Sequence, residues 1–298
     1  MMAKLQAFLG VARGPFLLLP VTLVASGTAA ACHAGTISIF RALLALAGLM
    51  ALHASVNAFN EVSDMKTGID LRTQRTPFSG GSGTLPSGRM RTETAYAFAL
   101  AMALIGLGIG IYMWMQAGMI LLPILVMGAL CVLAYADILS HTGVGEIAAG
   151  LGLGLLPVMG AAIVQDGRLP ASAVAAGIPA FFMTFNLLLL NEFPDVAADL
   201  TGGRKNLVIL FGRRRAALIY AAAGLLTPLS ILVAVAVRVL PAISLAAMAP
   251  SLFLAGPLRW ALRDVEKPVP IPAMGANVTW NLLTNAVLAI SMAVAAEL

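Results

Sequence analysis

Apolar stretches of about twenty residues follow one another along the chain, and short polar segments separate them. An α-helix of that length crosses the roughly 30 Å hydrocarbon layer of a membrane, so the stretches predict nine membrane-spanning helices. Their approximate bounds are 15–35, 41–59, 95–115, 118–136, 146–164, 171–190, 215–237, 242–260 and 273–296. The pattern predicts an all-α, polytopic membrane protein that is embedded in the lipid bilayer.

The composition indicates the same fold class. Of the 298 residues, 60% are hydrophobic and 10% are charged, and the mean hydropathy is +0.95. A soluble domain carries about 25% charged residues, so a water-soluble globular fold is excluded. Cys32 and Cys131 both lie inside apolar stretches. This placement excludes a disulfide framework and a cysteine metal site of the CxxC type.

The net charge of +5 is explained better by membrane orientation than by a nucleic-acid partner, because the basic residues lie between the spans. With the N-terminus in the cytoplasm, all of the 18 Lys and Arg residues except Arg41, Arg168 and Arg238 fall on the cytoplasmic side. We expect an integral protein of the bacterial inner (plasma) membrane, with no nucleic-acid partner. Residues 1–34 also resemble a secretory signal peptide, but cleavage would leave eight spans, so we favour an uncleaved first helix.

Two acidic motifs follow the second and the sixth span. Both have the form Asn-Glu-x-x-Asp, from Asn60 to Asp64 and from Asn191 to Asp195, and they are 131 residues apart. Four spans separate the motifs, so both are expected at the cytoplasmic face, where they can meet. The repetition predicts an internal duplication. We expect one domain, 1–298, with halves at about 1–136 and 137–298.

Helical spacing groups the polar side chains of each motif. Residues four apart share a helix face, so Asn60 lies with Asp64, and Asp195 lies with Asp199. Carboxylate and amide oxygens suit a hard divalent cation such as Mg²⁺, which keeps coordination positions open for a substrate phosphate. A solvated loop after each span is the alternative. Two matching motifs at one face favour the metal site.

The first motif resembles that of the UbiA superfamily of intramembrane prenyltransferases, and the resemblance extends over most of the chain. The family motif is Asn-Asp-x-x-Asp with a third Asp, which is spaced as x-x-x-Gly-x-Asp in the branch that prenylates 1,4-dihydroxy-2-naphthoate for menaquinone. The matching residues are Asn60, Asp64, Gly68 and Asp70. Glu61 stands where the family usually has Asp. The glycine-rich stretch 81–86 resembles that of the same branch.

The second family motif is Asp-x-x-x-Asp followed by a run similar to Gly-Lys-Arg-Thr-Leu and then Leu-Gly. The matching residues are Asp195, Asp199, Gly203, Arg204, Lys205, Leu207 and Gly212. Asn206 replaces the usual Thr, and Leu200 replaces a common Arg. Arg13 with Pro15 resembles the Arg-Pro opening of the family.

The loop after the fourth span departs from the family pattern. It keeps the family's Tyr, as Tyr135, and the Gly-x-Gly-acid ending, but it has no Lys or Arg where relatives often carry one. His141 is the one candidate replacement, and an ordinary loop histidine is the alternative.

The resemblance implies a helical bundle around a central cavity, with a polyprenyl diphosphate as the donor. Mg²⁺ ions held by Asn60 with Asp64, and by Asp195 with Asp199, would bridge the diphosphate and stabilise the charge that develops as the allylic C–O bond breaks. The three aspartates are therefore candidate catalytic residues. Basic candidates for binding the diphosphate are Arg13, Arg72, Arg75, Arg204 and Lys205.

An electron-rich aromatic acceptor would then attack the allylic carbon. Asp70 and Glu192 are candidate catalytic residues for positioning or deprotonating the acceptor, and simple solvation is the alternative for both. Candidates for lining the cavity or touching the acceptor are His53, Asn57, Tyr135, His141 and Asn281. Asn281 belongs to a polar stripe in the ninth span, for which hydrogen bonding between helices is an equally good explanation.

The leading hypothesis is a Mg²⁺-dependent aromatic prenyltransferase, most similar to the dihydroxynaphthoate branch. The same scaffold would also serve another aromatic or lipid acceptor, or a terpene cyclase that uses no acceptor. A transporter is the third alternative, because duplicated halves and acids within the membrane occur in transporters. The acids of this chain lie at helix ends on one face, which disfavours transport.

Overall fold

The computed structural model describes residues 2–35 and 37–297, which form helices and connecting turns and contain no strand. The α-helices are Met2–Val11 (α1), Leu18–His33 (α2), Ile39–Thr67 (α3), Thr92–Ala117 (α4), Leu122–Leu133 (α5), Gly145–Gly150 (α6), Leu156–Asp166 (α7), Ala171–Thr201 (α8), Leu207–Phe211 (α9), Arg213–Ala236 (α10), Ala255–Arg263 (α11) and Ile271–Glu297 (α12). The 3₁₀ segments are Gly14–Leu17, Met119–Leu121, Leu139–His141 and Ala242–Leu254. The predicted all-α class is confirmed.

Eight helical stretches among the described residues are long and apolar enough to cross a membrane. They are Gly14–His33, Ile39–Thr67, Thr92–Ala117, Gly145–Asp166, Ala171–Thr201, Arg213–Ala236, Ala242–Arg263 and Ile271–Glu297. The fourth of the nine predicted spans is a shorter apolar segment, Met119–Leu133. At about 1.5 Å per residue it rises roughly 22 Å, less than the hydrocarbon thickness of about 30 Å. The polytopic architecture is confirmed, with a shortened fourth span.

Small residues bring α3 and α4 close together. The buried stripe of α4 consists of Ala95, Ala99, Ala103, Gly106 and Gly110. A Cβ atom at Gly106 would lie 2.5 Å from Leu52 Cγ of α3, so no larger residue fits there without a shift. Such close approach of two backbones is a usual way for membrane helices to pack, because lipid tails are as apolar as the side chains.

The fifth predicted span is interrupted between α6 and α7. The segment Leu151–Leu155 forms a π-helical turn, in which Leu153 has non-helical backbone angles. Gly154 packs directly against α8, where an added Cβ would lie 2.6 Å from the Ala180 carbonyl oxygen. π-Helical turns inside α-helices are rare and occur frequently at functional sites.

The helices that carry the two acidic motifs end beside each other. α3 ends at Thr67 with Gly68 in the left-handed region, at φ 78°, and α8 ends at Thr201. A Cβ atom at Gly202 would lie 2.3 Å from Ile69 Cδ1, so the two helix ends are in contact. This end of the bundle, where α3 and α8 terminate, is called the acidic end below. The internal duplication and the cytoplasmic location of the acidic end remain predictions.

Candidate active site

Both acidic motifs open into one cavity of about 420 Å³. It begins at the acidic end and extends between α2, α3, α4, α5, α7 and α8. The polar lining at the acidic end is formed by Asn60, Asp64, Asn191, Glu192, Asp195, Asp199, Arg13 and Arg204. Deeper in the bundle the lining is mostly apolar, from Ala45 on α3 to Val164 on α7. The cavity therefore combines a charged mouth with a long apolar interior.

Arg204 connects the two motifs. Its Nη2 donates to Asn60 Oδ1 at 2.7 Å and forms an ion pair with the Asp64 carboxylate, while its Nη1 lies 3.8 Å from Asp199 Oδ1. Burial by itself would lower the pKa of Arg204, but the charges of Asp64 and Asp199 outweigh it and raise that pKa above its ordinary value. The guanidinium is therefore a permanent positive charge between the carboxylates.

Asp195 holds the loop that follows the first motif, residues 68–91, called the α3–α4 loop. Its Oδ1 accepts a hydrogen bond from the Thr73 hydroxyl at 2.5 Å, and its Oδ2 accepts one from the Gly80 amide at 3.0 Å. Phe78 and Gly81 of the same loop line the cavity. The second motif thus fixes the loop across the mouth of the cavity.

Glu61 fixes the other part of this loop. The side chain is fully buried, and its carboxylate accepts hydrogen bonds from the Ser82 amide and the Ser82 hydroxyl, both at 2.7 Å. Arg13 Nε lies 3.3 Å from Glu61 Oε1, which ties the start of the first span to the same carboxylate. Glu61 does not line the cavity. Its contacts explain why a longer acid than the usual Asp occupies this position.

The donor set at the mouth fits a hard divalent cation. Asn60, Asp64, Asp195 and Asp199 offer amide and carboxylate oxygens to the same cavity. Among the described residues, however, no three His, Cys, Asp or Glu side chains lie close enough together to hold a metal ion by themselves. A cation at this mouth would therefore need further oxygens, such as those of a diphosphate. Mg²⁺ commonly binds in this shared way.

Asp70 lies behind the cavity wall. It is 2% exposed and does not line the cavity, and its Oδ2 has no hydrogen-bond partner. A Cβ atom at Gly81, where φ is +71°, would lie 2.4 Å from Asp70 Oδ1, so this carboxylate packs directly on the loop backbone. Burial, and then the charges of Glu61 and Asp64, raise the pKa of Asp70 to about 7. The structure does not place this candidate next to an acceptor.

Several predicted site residues lie outside the cavity. Arg72, Arg75 and Lys205 do not line it, and the Arg75 guanidinium donates to the Asp70 carbonyl oxygen at 2.6 Å. His141 does not line it either: its Nδ1 lies 3.0 Å from the Ser140 hydroxyl, and its Nε2 lies 3.4 Å from the Gly202 carbonyl oxygen. Of the predicted diphosphate-binding cations, the structure brings two, Arg13 and Arg204, into the cavity.

Asn281 also lies away from the cavity, in a hydrogen-bonded network between helices. Its Nδ2 is 3.4 Å from the Thr184 hydroxyl, and its Oδ1 accepts from Asn285 at 2.9 Å. One turn earlier in α12, Asn277 Oδ1 accepts from the Tyr220 hydroxyl at 2.8 Å. The asparagine stripe of the ninth span therefore joins helices, which was one of its two interpretations.

Three predicted polar residues do line the cavity. His53 is buried, and its Nδ1 has no partner. Asn57 donates from Nδ2 to the Ala12 carbonyl oxygen at 3.0 Å. Tyr135 faces the cavity from the loop after α5, and burial, with a further contribution from Glu192, raises the pKa of its hydroxyl.

Two further residues contribute to the site, although the sequence pattern predicts no role for either. Asn206, which replaces the usual Thr of the family, donates to Asp199 Oδ2 at 2.9 Å and accepts from the Ile209 amide at the start of α9. Glu146, the acid of the Gly-x-Gly-acid ending, is fully buried and lies beside Glu192. The sequence signal for Glu146 was an acid at the start of an apolar span.

Comparisons with known proteins concern the sequence family and the fold of the chain. The sequence profile of the UbiA prenyltransferase family matches residues 18–294. A UbiA homolog from Archaeoglobus fulgidus bound to GPP and Mg²⁺ is similar in structure, with a TM-score of 0.70 and 13% identity over 98% of this chain and 100% of that one. A digeranylgeranylglyceryl phosphate synthase gives 0.66 and 17%, over 99% of each chain. A UbiA homolog from Aeropyrum pernix K1 gives 0.69 and 15%, over 92% and 98%. No curated protein sequence matches this chain.

Proposed function

The chain belongs to the UbiA prenyltransferase family, and from this premise we propose that it transfers a polyprenyl group from its diphosphate to an aromatic acceptor, with Mg²⁺. The observation that carries the proposal is the single cavity with acids of both motifs at its mouth and an apolar interior behind them. A polyprenyl diphosphate has the matching shape, because its head is highly charged and its tail is entirely apolar.

At the mouth, Asn60 with Asp64 and Asp195 with Asp199 would hold Mg²⁺. The cations supply charge neutralisation for the diphosphate. Structures of the same fold, from Archaeoglobus fulgidus, are bound to GPP, DMAPP, Mg²⁺ or Cd²⁺, which supports a prenyl diphosphate and a divalent cation for this chain. Arg13 and Arg204 line the same mouth and would donate to diphosphate oxygens.

The apolar interior has two roles in this reaction. It binds the prenyl tail, and it excludes water from the carbocation-like carbon until the acceptor attacks. The walls of this interior include apolar side chains such as Val56, Leu104 and Leu188.

For the acceptor we propose 1,4-dihydroxy-2-naphthoate, and hence a place in menaquinone biosynthesis. The support is the x-x-x-Gly-x-Asp spacing at Gly68 and Asp70 and the glycine-rich stretch that follows. We further propose that the acidic end faces the cytoplasm of a bacterial inner membrane, because it carries most of the Lys and Arg residues. A lipid acceptor and a cyclase reaction are the competing outcomes of the test below.

The test is a product assay with the purified protein in detergent, Mg²⁺ and radiolabelled geranylgeranyl diphosphate. The acceptors are 1,4-dihydroxy-2-naphthoate, 4-hydroxybenzoate, homogentisate, geranylgeranylglyceryl phosphate or none. A prenylated naphthol that is lost in Asp64→Ala and in Asp195→Ala supports the proposal. Transfer to the lipid alone, or diphosphate release without any acceptor, contradicts the aromatic acceptor. No turnover under any condition, with folded protein, contradicts the proposed reaction.

A further inference from the structure

Two glutamates meet at the wall of the cavity. Glu192 on α8 lines the cavity and is 8% exposed, while Glu146 on α6 lies behind it and is fully buried. Glu146 Oε1 accepts a hydrogen bond from the Leu207 amide at 2.6 Å, which fixes this side chain. Oε2 of each glutamate is buried with no other donor, and the two side chains hydrogen-bond to each other, which requires that the pair share a proton. Glu192 thus presents to the cavity one carboxyl group of a proton-sharing pair.

Among the described residues no cation forms an ion pair with these two glutamates, and Arg204 acts on Glu192 only from a longer distance. The buried ion pairs join Arg13 to Glu61, and Arg204 to Asp64 and Asp199. Neither Glu146 nor Glu192 takes part in an ion pair. Burying two neighbouring carboxyl groups without an ion-pair partner is unfavourable, and such proton-sharing pairs are found mainly where a substrate exchanges a proton with them.

The pair lies at the depth where the reaction is expected. Glu192 precedes Asp195 by three residues on α8, so it lies roughly 4–5 Å further from the acidic end. The diphosphate belongs at Asp195 and Asp199, and the prenyl tail belongs in the apolar interior. The position of Glu192 therefore corresponds to the first carbon of the prenyl chain, next to which an acceptor must bind.

The polar groups of the cavity wall at Glu192 determine which part of an acceptor can bind beside them. Carboxyl oxygens accept a hydrogen bond from a phenolic hydroxyl and repel a carboxylate. The Tyr135 ring lines the same cavity near Glu192 and offers a hydroxyl that stays protonated, because its pKa is raised. The nearest cations of the cavity are Arg13 and Arg204, at the mouth, where an anionic group of an acceptor would be favoured.

We propose that Glu192 is the catalytic base of the acceptor site, that it binds a phenolic hydroxyl of the acceptor, and that Glu146 is the positioning residue behind it. This inference rests on the proposed prenyl transfer. The C–O bond of the donor breaks, and its electron pair leaves with the diphosphate. The ring carbon beside the hydroxyl forms a bond to the prenyl carbon, and the hydroxyl proton passes to Glu192, whose pair with Glu146 holds one shared proton before the step and two after it. The same ring carbon then loses its hydrogen as a proton or, in a naphthoate, its carboxylate as CO₂; the electron pair of that bond returns to the ring, and Glu192 gives its proton back to the oxygen, which restores the aromatic hydroxyl.

The experiment compares Glu192→Gln, Glu146→Gln and the matched control Glu266→Gln, which changes an exposed glutamate paired with Arg214. Binding of radiolabelled geranylgeranyl diphosphate with Mg²⁺ is measured separately from turnover with 1,4-dihydroxy-2-naphthoate, or with the best acceptor of the wild type. We expect Glu192→Gln to bind the donor as the wild type does and to lose about 100-fold or more in kcat, the usual contribution of a general base. Glu146→Gln should raise the acceptor KM, and Glu266→Gln should change neither.

A second readout distinguishes proton transfer from a structural role. A ring-fluorinated acceptor has a more acidic hydroxyl and depends less on a base, so it should recover at least about tenfold of the activity that Glu192→Gln loses. Any one of three results would overturn the inference. Glu192→Gln could lose donor binding together with turnover, it could keep turnover within threefold of the wild type, or it could fail to recover activity with the fluorinated acceptor. If the wild type transfers the prenyl group to no acceptor, the proposed function itself fails and the inference falls with it.

Discussion

At the scale of single residues, Arg204 determines the charge balance of the mouth. It lies between Asp64 and Asp199, and its side chain is 12% exposed. Removing one partner of a buried ion pair costs about 3–5 kcal/mol, because the other charge stays buried without compensation. We expect Arg204→Gln to lower the thermal unfolding temperature in the absence of Mg²⁺.

Mg²⁺ with a prenyl diphosphate should then restore part of this loss, since the ligand stabilises the folded state to which it binds. The measurement is thermal unfolding in detergent, with and without Mg²⁺ and geranylgeranyl diphosphate. Arg214→Gln, at an exposed ion pair, is the control. If the loss of stability is equal with and without the ligands, the positive charge of Arg204 does not play the part that Mg²⁺ would play at this mouth.

Glu61 gives a second prediction at this scale. Its carboxylate reaches both Ser82 and Arg13 because Glu is one methylene longer than Asp. Glu61→Asp should weaken these hydrogen bonds, each worth about 0.5–3 kcal/mol, and release the α3–α4 loop. We expect faster tryptic cleavage at the exposed Arg72 and Arg75, together with a higher donor KM. Unchanged cleavage would mean that Asp195 alone holds the loop.

The sequence was sufficient to predict the acids of the two motifs, but it did not predict that Glu146 packs beside Glu192. Asn60, Asp64, Asp195 and Asp199 were predictable because helical spacing places them on helix faces that end at one side of the membrane. The partner of Glu192 was not predictable, because Glu146 is 46 residues away and only the packing of α6 on α8 brings the two together. Arg72 and Lys205 also come directly after the motifs in the sequence, but the position of a residue in a loop does not determine whether its long side chain reaches the cavity. Neither of them lines it.

At the scale of helices, α5 limits the space in the cavity that is available to the prenyl tail. Gly128 lines the cavity, and a Cβ atom there would meet nothing within 4 Å. It lies five residues, roughly 7–8 Å, from the end of α5 at Leu133. An isoprene unit extends about 5 Å over four carbon–carbon bonds, so the second unit of the tail reaches the level of Gly128 and any further units pass it.

We therefore expect Gly128→Phe to block long donors and to spare short ones. The kcat/KM for geranylgeranyl diphosphate should fall at least about tenfold more than that for geranyl diphosphate, in line with the effect of misfit in an apolar pocket. Gly108→Phe is the matched control, because Gly108 also has open space around its Cβ position but does not line the cavity. An equal effect on both donors would indicate that the tail follows another path.

Hydropathy predicted the helices well, but it did not predict their interruptions. Span lengths follow from continuous apolar stretches, which is why eight of the predicted spans correspond to long helices. The π-helical turn at Leu151–Leu155 lies inside such a stretch, so no change in polarity marks it. The shortened fourth span has the same cause, because Met119–Leu133 is as apolar as a full span.

At the scale of the whole molecule, the two ends of the bundle differ in charge. The α3–α4 loop and the start of α10 lie at the acidic end with most of the Lys and Arg residues, whereas Arg41 and Arg168 lie at the opposite end. Arg41 is held there by the carbonyl oxygens of Val164 and Gln165. Basic residues near spans accumulate on the cytoplasmic side, so we predict that the acidic end faces the cytoplasm.

Cysteine labelling tests this orientation. In a background of Cys32→Ala and Cys131→Ala, single cysteines are placed at Gln74, in the α3–α4 loop, and at Arg168, both of which are exposed. A maleimide that does not cross membranes should label Arg168→Cys in intact cells, and should label Gln74→Cys only after permeabilisation. The reversed pattern would place the diphosphate site outside the cell, where no supply of a charged polyprenyl donor is expected. Because the acids of both motifs and the α3–α4 loop lie at one end of the bundle, this single result determines from which side the charged head of the donor enters.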